Sequence, residues 1–146
     1  MSDSAMLEAA TALLRQGRTI DRLSRLLTVA ALVMLIGAIA FRVASPALVT
    51  ALALAVVAGV AELYLAFRVG FDADLFDRLR DPAKLDLAAL DAALAQLGLA
   101  PASKGGRPLD QRIAGAQRLL YKQGMAMGIQ SAVLLCGAVP TTLSII

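Results

Sequence analysis

Residues 26–44 read LLTVAALVMLIGAIAFRVA, Ser45-Pro46 follows, and residues 47–69 read ALVTALALAVVAGVAELYLAFRV. Arg42 is the only charge in the first run, and Glu62 and Arg68 are the only charges in the second. A helix needs ~20 predominantly apolar residues to cross a ~30 Å hydrocarbon layer, and these runs hold 19 and 23. Ser45-Pro46 leaves room only for a tight turn, so the two spans are antiparallel neighbours. The first run is too long for a cleavable signal, and a second span follows at once. Farther out, residues 124–146 supply a third apolar run. The expected fold is all-α, a membrane protein with three transmembrane helices (26–44, 47–69 and 124–146). To these are added an amphipathic helix over residues 1–25 and a cytoplasmic helical insert over 70–123.

Composition agrees. The chain has 146 residues, 59% hydrophobic and 17% charged, whereas soluble domains are ~45–50% apolar and ~25% charged. Its mean hydropathy is +0.74. A domain of this size buries only ~70% of its surface, so so large an apolar excess cannot be hidden in one core. That argues against a freely soluble globule, and low-hydrophobicity disorder is excluded as well. No His is present and Cys136 is the only Cys, which removes imidazole chemistry, His-ligated metals and internal disulfides. No cofactor or metal is expected.

The basic residues set the orientation. Residues 1–25 carry four Arg and residues 70–123 carry eight Lys/Arg, while the hairpin tip offers only Arg42. With the N-terminus inside, 13 of the 14 positive residues lie in the cytoplasm or at its boundary, as the positive-inside rule demands. The expected location is a bacterial inner membrane with a periplasmic C-terminus. The basic residues then have a topological role, and no nucleic-acid partner is expected. Tyr64, Phe67, Phe71 and Tyr121 gather at the inner interface, where aromatic rings anchor.

In the N-terminal segment, Ser4 reads as an N-cap, and Met6, Ala9, Leu13, Ile20 and Leu27 fall on one face. Arg15, Arg18, Arg22 and Arg25 form a stripe suited to anionic lipid or a partner, with a plain topology signal as the simpler reading. Gly17 weakens this helix midway. In the insert, 71–79 reads as a short helix with Phe71, Leu75, Phe76 and Leu79 on one side, and Asp81-Pro82 as a fresh start. Leu87, Leu90, Leu94 and Leu97 mark a second helix that ends in a left-handed Gly98, with Leu99 behind it. Residues 100–108 are a linker. A helix starting at Leu109 runs unbroken into the third span, where Pro140 kinks or ends it.

Glu62 is the one acidic residue within a span, and an ionisable group there is costly unless paired or hydrated. Counting 1.5 Å per residue from Gly70 puts it ~12 Å deep. The same count from Gly124 brings Gln130 and Ser131 level with it. An intramembrane polar cluster of Glu62 with Gln130 or Ser131 is therefore expected, against a position near the headgroups or a proton or cation relay. Small residues at fourfold spacing, Ala51, Ala55 and Gly59 on span two and Gly124 and Gly128 on span three, suit close helix packing. Cys136 reads as a packing residue. Asp72, Asp74, Asp77 and Asp81 lack the Gly and Glu of a calcium loop and read as a solvated face. Residues 104–107 lack phosphate-loop spacing.

No catalytic constellation stands out. The expected role is a non-catalytic inner-membrane subunit or accessory/assembly protein, acting as a homo-oligomer or in a larger membrane complex. The alternative is an oligomeric channel or ion-coupled transporter using Glu62, oligomeric because three spans cannot enclose a pore.

Overall fold

The computed structural model describes residues 3–42, 44–79, 81, 86–98 and 105–143, with side chains through residue 137. Every regular element among them is helical: α1 (Asp3–Arg15), α2 (Gly17–Phe41), α3 (Pro46–Leu79), α4 (Leu87–Gln96) and α5 (Leu109–Leu143). Two of the helical stretches, 4–41 and 46–79, are long and apolar enough to cross a membrane.

The hairpin forms as its residues dictate. α2 ends at Phe41, and Arg42 closes it in the left-handed region at φ 54°. Ser45 then caps α3, its Oγ accepting from Leu48 N at 3.3 Å. Pro46 takes the first helical position, where its missing N–H costs nothing. Thr28 lies against Gly59, and Ala31 packs with Leu52 and Ala55, so α2 and α3 run antiparallel. α5 lies along both of them, parallel to α2, with Gln123 near Gly17 and Gly137 near Ala51.

The periodicity of burial organises the bundle. On α1 and α2 one seam of interior positions runs through Leu7, Ala10, Leu14, Gly17, Asp21, Ser24, Thr28 and Ala31, Thr28 half-buried, with Thr11 buried beside it. On α3 they are Leu52, Ala55, Gly59, Glu62, Ala66, Val69, Ala73 and Phe76, the Ala66 half-buried. Both series alternate steps of three and four, the repeat that keeps one seam of a helix facing its neighbours. On α5, Leu109, Ala116, Gln123 and Gln130 repeat at seven.

The N-terminal face therefore differs from the expected one. Leu7, Ala10 and Leu14 are buried, whereas Ala9 and Leu13 are exposed and Met6, Ile20 and Leu27 only partly covered. The true seam passes through Gly17, Asp21, Ser24 and Thr28, which a search for apolar stripes rejects. α1 packs against α3 and α5, and a turn at Gln16 separates it from α2. Ser4 already lies within α1.

The short helix expected over 71–79 is the continuation of α3, which passes Gly70 unbroken. α4 takes the expected form. Asp86 caps it by accepting from the N–H groups of Ala88 and Ala89, and Gly98 is left-handed at φ 68°. α5 is one helix from Leu109 and passes Pro140 to reach Leu143, so the proline does not end it. Pro82, Leu99 and most of the 100–108 linker lie outside the described residues.

The two ends of the bundle are built differently. At the arginine-bearing end, Leu7, Leu14, Val69, Phe76, Leu109 and Ala116 belong to one closed core. At the other end the buried cluster is Ala31, Leu52 and Ala55. There many large side chains point outward, with Val33 64% and Phe41 77% exposed.

Candidate functional site

Between these two ends the helices are joined by polar side chains. Gln123 and Gln130 stand seven residues apart on α5, and both are fully buried with Glu62 and Ser24. Gln123 Nε2 donates to Glu62 Oε1 at 2.7 Å and to the Gly17 carbonyl at 2.9 Å. Two turns farther on, Gln130 Nε2 donates to Thr28 Oγ1 at 2.8 Å. Gln130 Oε1 accepts from Ser24 Oγ at 2.8 Å, and Thr28 Oγ1 donates to the Ser24 carbonyl at 2.7 Å. Each glutamine thus ties α5 to a turn of α2, and Gln123 ties in α3 as well.

Glycine makes room for the seam. A Cβ at Gly59 would fall 1.9 Å from Thr28 Oγ1 and 2.7 Å from Gln130 Nε2. A Cβ at Gly17 would fall 2.8 Å from Gln123 Oε1. A larger residue at Gly59 would push Thr28 and Gln130 aside and open their hydrogen bond, and one at Gly17 would displace the Gln123 amide.

The two levels of the seam are not equally satisfied. Gln130 uses both ends of its amide, whereas Glu62 Oε2 and Gln123 Oε1 are buried without a hydrogen-bond partner. A buried polar atom left bare costs ~1–3 kcal/mol. The seam thus sets the Glu62 carboxyl among neutral amides and hydroxyls, with Asp21 paired to Arg25 farther along α2, and it fixes helix register.

The expected partner of Glu62 is corrected. Gln123 holds it, while Gln130 bonds to α2 and Ser131 Oγ donates back to the Met127 carbonyl at 3.0 Å. The depth count assumed that spans two and three enter at Gly70 and Gly124. The helices are offset by about two turns from that register, and Gln123 lies beyond the assumed entry. Its spacing of seven from both Ala116 and Gln130 is the signal that could have found it.

The small residues divide. Ala55 and Gly59 are fully packed, and Ala51 lies 2.7 Å from where a Gly137 Cβ would stand. A Cβ at Gly124 or Gly128 would meet nothing within 4 Å, so neither glycine is needed for close helix contact within the chain. Cys136 is exposed rather than packed.

The arginine stripe divides too. Arg15 pairs with Asp77 at 3.0 Å and Arg18 with Asp74 at 3.1 Å, so this half of the stripe faces α3. Arg25 pairs with Asp21 one turn back, its Nε donating at 2.9 Å. Arg22 is exposed and lines a cleft with Arg18, Arg25, Phe67 and Phe71. A further cluster fixes α4 to the start of α5. Arg112 Nη2 donates to both Asp91 oxygens at 2.7 and 2.8 Å, and Gly106 N donates to the same carboxylate at 2.7 Å. The Arg112 bond, then that of Gly106, holds the Asp91 carboxyl below the usual carboxylate range. An acidic residue inside the leucine-rich 87–97 stretch was the sequence signal for this clip.

Comparison with family models, with characterised proteins and with solved structures finds no match to this chain.

Proposed function

We propose that this chain is a non-catalytic integral subunit or assembly protein of a bacterial inner membrane, working as a homo-oligomer or within a larger membrane complex. One observation carries the reading. The half of the bundle that holds the hairpin tip turns many large apolar side chains outward, among them Val29, Val33, Ile36, Ile39, Val57 and Val60. In water each such side chain would forgo ~1.5–3 kcal/mol of burial; against lipid tails it forgoes none. The reading places α2, α3 and the far part of α5 across the bilayer, with α1, α4 and the near part of α5 in the cytoplasm. Extraction in mild detergent and capture of the tagged protein tests it. One dominant partner in fixed ratio, or a discrete homo-oligomer, is the expected result. A compact monomer in detergent-free solution overturns it.

A second reading, an oligomeric channel or ion-coupled transporter, draws on the bare Oε2 of Glu62 beside the bare Oε1 of Gln123. Proton or ion flux in liposomes that Glu62→Gln abolishes would favour it over the first.

A further inference from the structure

A track of exposed apolar side chains descends α3 at helical spacing: Val57, Val60, Tyr64, Phe67 and Phe71. Its upper part stands on the surface assigned above to lipid. Its lower part continues past that boundary. Phe67, Phe71 and then Leu75 form one wall of a cavity of about 500 Å³ between α3, α4 and α5. Leu90 and Leu94 of α4 face them, with Gly115 and Leu119 of α5 beside. Small-molecule sites measure ~300–1,000 Å³ and are mostly apolar with a few polar groups. A Cβ at Gly115, which lines the cavity, would meet nothing within 4 Å, so there is open space in front of it.

Arg68, Arg107 and Arg112 line the cavity with Asp72, and Asp91 takes up the Arg112 charge, so the three cations against two carboxylates leave a positive balance of one. Burial pushes the Asp72 carboxyl up, against the lowering effect of Arg68. An occupant matched to these walls is apolar over its length and anionic at one end. A helix of a partner protein is ~10 Å across, and the cavity would admit little more than one turn of it. A two-chain lipid would leave its second tail without a wall.

We propose that this cavity binds a single-chain anionic amphiphile, a fatty acid drawn from the inner leaflet along the Tyr64–Phe71 track, with its carboxylate on Arg68. The inference rests on the membrane reading of α3, and its test separates the two. The full-length protein is placed in phosphatidylcholine liposomes with a trace of a diazirine-bearing fatty acid, irradiated, and mapped by peptide mass spectrometry. Adducts over residues 26–69 report lipid contact of the spans; adducts over 86–98 and 107–119 report the cavity. Cavity adducts are expected, suppressed by oleate and not by uncharged oleyl alcohol.

Gly115→Leu fills the cavity from within a helix and should lower cavity adducts roughly tenfold while leaving span adducts unchanged. Gly115→Ala should retain them, and circular dichroism verifies that both variants fold. Arg68→Gln should weaken oleate competition roughly tenfold by removing a charge-assisted bond. Span adducts without cavity adducts, equal competition by the alcohol, or undiminished labelling of folded Gly115→Leu overturns the proposal. Absence of span adducts overturns the membrane reading itself.

Discussion

At the scale of single residues, Glu62 carries the sharpest expectations. Its Oε1 accepts from Gln123 Nε2, a role that a glutamine at 62 can also fill. Glu62→Gln should shift unfolding by less than ~1 kcal/mol, whereas Glu62→Leu strands one hydrogen of the Gln123 amide and should cost ~1–3 kcal/mol. Removing both partners, as Glu62→Leu with Gln123→Leu, should cost less than the sum of the single changes by at least ~0.5 kcal/mol. Unfolding titrations in mixed micelles measure the four variants, Gln123→Leu included, against the parent protein. If Glu62→Gln were as damaging as Glu62→Leu, the carboxyl would be serving something beyond acceptance of that bond. The glycines give a second contrast. Gly59→Ala places a methyl on Thr28 and Gln130 and should cost ~1–3 kcal/mol through overpacking. Gly128→Ala meets open space and should be neutral or slightly stabilising, since alanine is the better helix former. The same titrations decide it.

At the scale of elements, two docking events complete the arginine-bearing end. α1 is held chiefly by Leu7, Ala10 and Leu14 in the core with Val69, Ala73 and Phe76. The Arg15–Asp77 and Arg18–Asp74 pairs are part-exposed, and such pairs contribute ~0–1 kcal/mol. These two pairs thus align the α1–α2 junction on α3 more than they secure it. α4 is held differently, by the Asp91–Arg112–Gly106 clip. Because Asp91 titrates lower in the fold than in the open chain, folding favours its ionised form. Its contribution is whole above the ordinary value of about 4 and disappears as pH falls through the lowered one. Amide exchange over 87–98, corrected for intrinsic rates, should therefore rise below about pH 4 in the native protein. Asp91→Asn should show raised exchange at neutral pH and no such step.

These elements also show what the sequence disclosed. The hairpin, α4 with its Gly98 cap and the unbroken start of α5 were legible because each rests on local chemistry: apolar length, proline, a capping aspartate, a left-handed glycine. The seam was not. Its inward positions on α2 are Gly17, Asp21, Ser24 and Thr28, and only partners on two other helices make such residues interior. Gln123 was hidden for the same reason, since its burial depends on the register of α5 against α3, which no single helix encodes.

At the scale of the whole molecule, the contrast between the two ends sets up an orientation that can be measured. The closed core and ten of the eleven positive residues among those described share one side of the seam or its boundary. Moving those charges through a bilayer would be opposed many times over, since each costs ~2.5–3.5 kcal/mol at the centre of a helix on insertion scales. Arg42 alone stands at the hairpin tip. Ser45 is exposed there, so Ser45→Cys in a Cys136→Ala background reports that end with little steric change. In intact spheroplasts a membrane-impermeant maleimide should label this cysteine, while trypsin should leave the 104–107 segment uncut. In inside-out vesicles the pattern should reverse, with cleavage at Lys104 or Arg107 and no labelling at 45. Cleavage near Lys104 from the periplasmic face would invert the assigned topology. It would also move the α3–α5 cavity to the side of the membrane from which an inner-leaflet amphiphile could not reach it.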